Sequence, residues 1–243
     1  MGRCAIVTGV STGLGEALAA RLLARGYDVL GVGRRTSTRL AGAAFTFVAV
    51  DLAHPDTAGA ALADAFATIA ARRPGSVCLV NNAATIDGVG VLGTLTAAAI
   101  AADLDVNLAA PVIAADCFCR AFTDARCERR IINVSSGAAQ APIAGASLYS
   151  IAKAGIEMLT RALAAEHGAH GLVAVTLRPG IIDTPMQQSL RTQGAERLPQ
   201  VAMFRDFHAS GRLVPPDEVA AKVVARLVEG EIDNGRTYSY AEL

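Results

Sequence analysis

Ala5-Ile6-Val7-Thr8-Gly9-Val10-Ser11-Thr12-Gly13-Leu14-Gly15 is the stretch that decides the fold. A short β-branched run, Ala5 to Val7, passes through three glycines into an Ala- and Leu-rich segment of helical period, from about Leu14 to Arg25. Glycines so placed permit a tight strand-to-helix turn and bring the backbone close to a phosphate, whose charge is stabilised at a helix N-terminus. Gly9, Ser11, Thr12, Gly13, Leu14 and Gly15 are therefore candidate ligands of a dinucleotide pyrophosphate. The same residues also spell Gly9-x-Ser11-x-Gly13, the nucleophile elbow of hydrolases. That reading needs an acid and then a histidine downstream, and His54, His167, His170 and His208 are available. A turn this early, however, has no preceding strands to supply the usual oxyanion loop, so the nucleotide reading is preferred.

Outward from this turn, short apolar runs alternate with helical stretches. Further strands are expected at Asp28–Val32, Phe45–Val50, Val77–Val80, Arg130–Val134, Val173–Leu177 and Thr237–Tyr240. Helices are expected at about Thr57–Arg72, Ala98–Phe122 with a break at Pro111, Leu148–His167 and, more weakly, Pro216–Glu229. Continuous apolar strands separated by helices predict an α/β fold: a Rossmann-type doubly wound sheet of about seven strands, mostly or wholly parallel, with helices on both faces. No linker or repeat divides the 243 residues, so a single domain is expected. The stretch Pro179 to Arg212 reads as polar and irregular, which suits a substrate lid around 184–212.

Composition narrows the function. Basic and acidic side chains balance at 22 each, which argues against a nucleic-acid or anionic-membrane partner. Apolar residues make up 52% of the chain, which excludes intrinsic disorder. No secretory leader and no membrane-length apolar run is read, so a cytoplasmic location is expected. Five cysteines without a CxxC pair indicate neither a disulfide framework nor a metal site.

Two further sites carry chemistry. At the end of the second strand, where an acidic residue would hold the ribose 2′-hydroxyl of NAD, stands Gly33-Arg34-Arg35. Two guanidiniums suit a 2′-phosphate, and a pair of charge-assisted bonds at about 1.5–3 kcal/mol each would favour NADP(H) over NAD(H) by one to several decades. Tyr149 and Lys153 are spaced to share one helix face. A phenol of pKa about 10 is a poor acid–base group at neutral pH, and a neighbouring ammonium favours its phenolate. Ser136 follows the fifth strand, at the carboxyl edge where ligands bind in such sheets, and could hold a carbonyl oxygen while Tyr149 gives the proton.

In order and spacing, Thr8-Gly9-x3-Gly13-x-Gly15, Asn81-Asn82-Ala83, Asn107, Ser136, Tyr149-x3-Lys153 and Pro179-Gly180-x3-Thr184 resemble the short-chain dehydrogenase/reductase family. The resemblance runs from Cys4 to about Tyr240. It implies a catalytic tetrad of Asn107, Ser136, Tyr149 and Lys153. Tyr149 would be the proton donor and Ser136 would orient the carbonyl. Lys153 would bind the nicotinamide ribose and lower the tyrosine pKa, and Asn107 would hold a water linking Lys153 to solvent. The family spacing selects Ser136 rather than Ser135. Asp51 and Leu52 match positions flanking adenine; Asn82, Ala83, Pro179 and Gly180 belong to the cofactor-binding motifs, and Ile182 and Thr184 match positions at the nicotinamide carboxamide.

The family's Asn-Asn-Ala-Gly reads Asn81-Asn82-Ala83-Ala84 here. The stretches Val134 to Ala139, Leu148-Tyr149 and Asp183 to Gln188 look like the sepiapterin reductase and benzil reductase subgroup, which implies NADPH-dependent reduction of vicinal dicarbonyls. The acidic pterin anchor of sepiapterin reductases falls at Ser239, with Glu242 close by, so an α-diketone suits the chain better than a pterin. The same resemblance implies a homodimer or homotetramer, with Met158, Leu159 and Leu163 in the helix core or an interface. A 3-oxoacyl-thioester reductase and a non-catalytic NADP-binding redox sensor are the alternative readings.

Overall fold

Alternation along the strands sends successive side chains to two helical layers. In β1 (Arg3–Thr8), Ala5 and Val7 face one layer, where Leu14, Leu18 and Leu22 of α1 (Gly13–Ala24) are buried; Cys4 and Ile6 face the other. That second layer receives Leu62, Phe66 and Ile69 of α2 (Pro55–Ala71). The computed structural model describes residues 2–243. Its sheet is completed by β2 (Asp28–Gly33), β3 (Phe45–Ala49), β4 (Ser76–Asn81), β5 (Glu128–Val134), β6 (Leu172–Arg178) and β7 (Thr237–Ser239). The strand order is β3-β2-β1-β4-β5-β6-β7, and every neighbouring pair is parallel.

The remaining helices are α3 (Ala97–Leu104), α4 (Ala110–Ala121), α5 (Ser147–His167), α6 (Pro185–Arg191), α7 (Val201–Ala209) and α8 (Pro216–Val223). α8 packs beside α1, and α2 beside α4, so each face of the sheet is covered. After β3 the chain crosses to β4 on the opposite side of β1, which opens a crevice at the carboxyl edge between them. Every turn that the sequence marked as a site leaves this edge: Gly9 after β1, Arg34 after β2, Asp51 after β3, Asn82 after β4, Ser136 after β5 and Gly180 after β6.

Three expectations need correction. Pro111 does not break its helix. A π turn, Asp105–Ala109, joins α3 to α4, and Pro111 enters the first turn of α4, where its missing N–H costs little. The resulting helix, Ala97–Ala121, is by length and composition apolar enough to cross a membrane, because its many alanines raise its mean hydropathy without any long run of large apolar residues. Within this fold Asp103, Asn107, Ala114 and Phe118 on it are buried against the rest of the chain. Finally, the stretch 184–212 is not irregular: it carries α6 and α7. Thr184 caps α6 by accepting from the Gln187 N–H at 3.3 Å, and Pro185 follows in the first turn.

Candidate active site

The glycine turn is built for close approach. Gly9 and Gly13 have φ of +76° and +63°, conformations that side chains rarely adopt. A Cβ on Gly9 would stand 2.9 Å from the Ala83 Cα, and one on Gly15 would stand 2.2 Å from the Gly9 carbonyl oxygen. Thr8 Oγ1 accepts from the backbone N–H groups of Asn82 and Ala83, both at 2.9 Å, while Asn82 Nδ2 donates to the Thr8 carbonyl at 2.9 Å. Asn82 and Ala83 thus fix the turn and form its floor. Thr12 takes the N-cap position of α1 without a side-chain cap bond, so among the described residues the first-turn N–H groups lack that acceptor. Across the crevice the Thr184 methyl lies 3.1 Å from where a Gly13 Cβ would be. Such a cradle fits a dinucleotide pyrophosphate.

Arg34 and Arg35 are exposed at the end of β2 and make no ion pair among the described residues. Arg39, by contrast, reaches Glu16 at 3.3 Å and Asp217 at 3.5 Å. Asp51 accepts from the Ala53 N–H at 3.0 Å, shaping the turn after β3, and Leu52 beside it is buried. The departure at Ala84 falls on a partly buried position. Ile182 bridges Val214, and a Cβ on Gly180, whose φ is +78°, would stand 3.5 Å from the Tyr240 Cβ.

The chemistry-bearing residues converge at the ends of β4 and β5. α5 carries Tyr149 and Lys153 on one face, with Lys153 Nζ 5.4 Å from the centre of the Tyr149 ring. Nζ donates to the Val134 carbonyl at 2.8 Å, which anchors α5 to the end of β5. Ser136 Oγ accepts from the Ala138 N–H at 3.2 Å, and Ser136 stands near enough to the Tyr149 hydroxyl to act on it electrostatically. Its neighbour Ser135 turns away: the Ser135 hydroxyl donates to Glu157 Oε1 at 2.9 Å. Glu157 in turn receives Arg178 Nε and Nη2 at 2.8 and 2.7 Å, a bidentate pair that ties α5 to β6 and holds the Glu157 carboxyl below its usual range against burial.

Burial is the largest influence on the charges of the pair. Burial pushes the Tyr149 hydroxyl up to about 12, with the nearby Ser136 hydroxyl pulling the other way, and burial pushes Lys153 down to about 8. Lys153 Nζ stands over the face of the Tyr149 ring and donates to the Val134 carbonyl. Asn107 stands in the π turn between α3 and α4. Its side chain is committed: Oδ1 accepts from the Thr85 N–H, and Nδ2 donates to the Thr85 carbonyl and to Asp103, all at 2.9 Å. Its carbonyl is different, since Pro111 has no N–H with which to close the ordinary helical bond onto it.

Beside Tyr149 lies an apolar wall of Ile86, Ile143, Met186 and Phe204, the last two from α6 and α7. The 184–212 stretch is tied to the neighbouring loops by two hydrogen bonds. Arg197 Nη2 donates to the Val89 carbonyl at 2.8 Å, and Gln200 Oε1 accepts from the Ala144 N–H at 3.0 Å. Ser239 and Glu242 bond each other in a cap at the chain's end, and Glu242 also pairs with Arg236. No histidine hydrogen-bonds Ser11 among the described residues, and His167 and His170 precede β6, at the opposite sheet edge. The sequence reading missed Asp103, a buried acid i, i+4 from Asn107; an acid on an otherwise apolar helix was its one signal.

Comparison with known proteins agrees with this geometry. The chain is 30% identical over 239 residues to the benzil reductase ((S)-benzoin forming) of Bacillus subtilis, covering 98% of both chains. It is 30% identical to the 3-oxoacyl acyl-carrier-protein reductase FabG of Vibrio cholerae, covering 91% of this chain and 88% of that one. The crystal structure of a short-chain dehydrogenase from Burkholderia cenocepacia in complex with NADP superposes with a TM-score of 0.75 at 29% identity, over 98% of this chain and 96% of the other. The short chain dehydrogenase family description matches residues 3–195. With the parallel seven-stranded sheet, these matches make the chain an oxidoreductase of the short-chain dehydrogenase/reductase family, in a benzil reductase-like subgroup.

Proposed function

We propose that the chain is an NADPH-dependent carbonyl reductase acting on an α-dicarbonyl or a related small ketone. The observation that carries this reading is the meeting of Ser136, Tyr149 and Lys153 beside the glycine cradle, under an apolar wall. When bound, the nicotinamide supplies the hydride. Tyr149, whose proton is held tightly through neutral pH, donates it to the carbonyl oxygen, and Ser136 hydrogen-bonds that oxygen. Lys153 holds the nicotinamide ribose, and the Asn107 carbonyl is the group available to hold a water on the path from Lys153 to solvent. Ile86, Ile143, Met186 and Phe204 favour an apolar, aromatic diketone over a pterin, since Glu242 is occupied by its own cap. The exposed Val112, Ile151 and Met158 on α4 and α5 suit a homodimer or homotetramer.

The decisive experiment follows NADPH consumption across benzil, other α-diketones, sepiapterin and a ketoacyl thioester. Turnover of an α-diketone is expected. Preference for the thioester would select the alternative that the Vibrio relative favours, and tight NADPH binding without turnover of any would select a non-catalytic sensor. The cofactor assignment has its own test. Replacing Arg34 by Ala is expected to weaken NADPH binding by about tenfold or more, for loss of a charge-assisted bond, and to leave NADH within about twofold. Fluorescence titration with both cofactors reads this, and equal losses would remove the phosphate contact.

A further inference from the structure

A cavity of about 380 Å³ opens at the amino edge of the sheet, opposite the candidate active site. Its volume is that of a small-molecule site rather than of a single bound ion. Arg3 and Ser76 begin β1 and β4, and Glu128 and Arg130 stand at the start of β5. Arg25 and Tyr27 follow α1, and Glu229 follows the π turn Val224–Val228 that continues α8. The six residues of β1, at about 3.3 Å each, put roughly 20 Å between this edge and the glycine cradle. Much of the wall is held in place. Arg25 grips Glu229 with two nitrogens, Nε to Oε1 at 3.3 Å and Nη2 to Oε2 at 2.5 Å. Arg3 Nη1 reaches the same carboxylate at 3.3 Å, and its Nη2 donates to the Arg25 carbonyl. The Arg3 guanidinium also lies 4.4 Å from the centre of the Tyr27 ring. Arg130 is different, for it meets no carboxylate among the described residues. Its Nη1 donates to the Leu227 and Gly230 carbonyls at 3.1 and 2.7 Å, which leaves Nε and Nη2 without a protein acceptor. Glu128 is exposed and joins no ion pair among the described residues. Three guanidiniums thus face two carboxylates, and the positive excess lies at Arg130.

We propose that this cavity is a second ligand site, which takes a small organic oxyanion, a carboxylate or a phosphate ester, on the open fork of Arg130. A guanidinium fork matches both oxyanions, and its charge-assisted bonds are about twice as strong as neutral ones. Arg3 and Arg25 are already fixed by Glu229, so the ligand meets their remaining N–H groups with little ordering cost. The Ser76 hydroxyl, which also lines the cavity and has no partner among the described residues, is a further donor. Tyr27 and Val228 offer apolar surface to the carbon part of the ligand. None of these residues belongs to the candidate active site, so the site stands whether or not the chain reduces a carbonyl.

The chain contains no tryptophan, so Tyr27→Trp places a single indole at the cavity, where Arg3 can still lie over it. Its fluorescence then reports binding at this edge and not at the distant cradle. The full chain is titrated with citrate and with glucose 6-phosphate, at ionic strength held constant with sodium chloride. A saturable change with a Kd below about 1 mM is expected for at least one of them. Binding of citrate alone, or of the phosphate ester alone, supports the site and names the oxyanion it takes. No saturable change with either, up to about 10 mM, overturns the proposal. In the same background Arg130→Met is expected to weaken binding about tenfold or more, and Arg34→Ala to leave it within about twofold. Affinity unmoved by Arg130→Met, or lost in Arg34→Ala, overturns the proposal. Arg130→Met also removes two bonds to carbonyls, so circular dichroism must first show it folded. If it is not, Ser76→Glu takes its place: a carboxylate added to the cavity wall should weaken binding by the same factor, and unchanged affinity overturns the site. If Tyr27→Trp does not fold, calorimetry on the otherwise unaltered chain reads the same titrations against the same outcomes.

Discussion

Tyr149→Phe is expected to lower carbonyl reduction by about three to four orders of magnitude, the upper part of the range for a positioned general acid. The hydroxyl is the only atom removed. The Phe ring would still lie under Lys153 Nζ, now 5.4 Å from the ring centre, and that lysine would keep its bond to the Val134 carbonyl. The glycine cradle and the arginines at the end of β2 are untouched. NADPH binding should therefore stay within about threefold, less than 1 kcal/mol of binding energy. Single-turnover kinetics alongside a fluorescence titration separate the two quantities. A parallel loss of cofactor affinity would make Tyr149 a binding residue, and retained turnover would move the proton donor elsewhere.

Phe118→Ala is expected to cost about 3–5 kcal/mol of stability, a large share of the roughly 5–15 kcal/mol available to a typical domain. Phe118 is 1% exposed and joins α4 to α2 and the sheet. Its ring lies 4.8 Å from Phe122 and 6.5 Å from Phe66, edge-on to the latter, so truncation removes two aromatic contacts and opens a cavity. For a chain of this length the loss corresponds to a Tm lower by roughly 6–20 °C. Thermal and urea unfolding measure it, and a change below about 1 kcal/mol would show that α2 and α4 close over the gap.

Much of the fold was legible because its signals are local. Val29, Leu79 and Ile131 lie in short apolar runs bounded by turns, and such runs read as strands buried on both faces. The cradle was equally legible, because Gly9, Gly13 and Gly15 answer to constraints within seven residues of chain: two positive φ angles and the Gly9 carbonyl against Gly15. Tyr149 and Lys153 shared a face by helical spacing alone. Where the reading failed, either a local signal was present and went unused or the deciding contact was distant. Thr184-Pro185 is a helix start of ordinary kind, an N-cap followed by proline, and it predicts α6. The π turn before Pro111 carried no such mark.

Of this protein, the amino-acid sequence by itself determined the parallel α/β sheet, the glycine turn after β1, the basic end of β2 and the placing of Tyr149 and Lys153 on one helix face. Each depends on neighbours along the chain, where backbone preference, periodicity and spacing act. Only the tertiary structure decided that burial raises the Tyr149 pKa and draws Lys153 down to about 8, that the Asn107 side chain is committed to Thr85, and that it also donates to the buried Asp103. Those outcomes depend on desolvation and on charges brought together from α3, α5 and the loops after β4 and β5, and electrostatic energy follows distance in space, not separation along the chain.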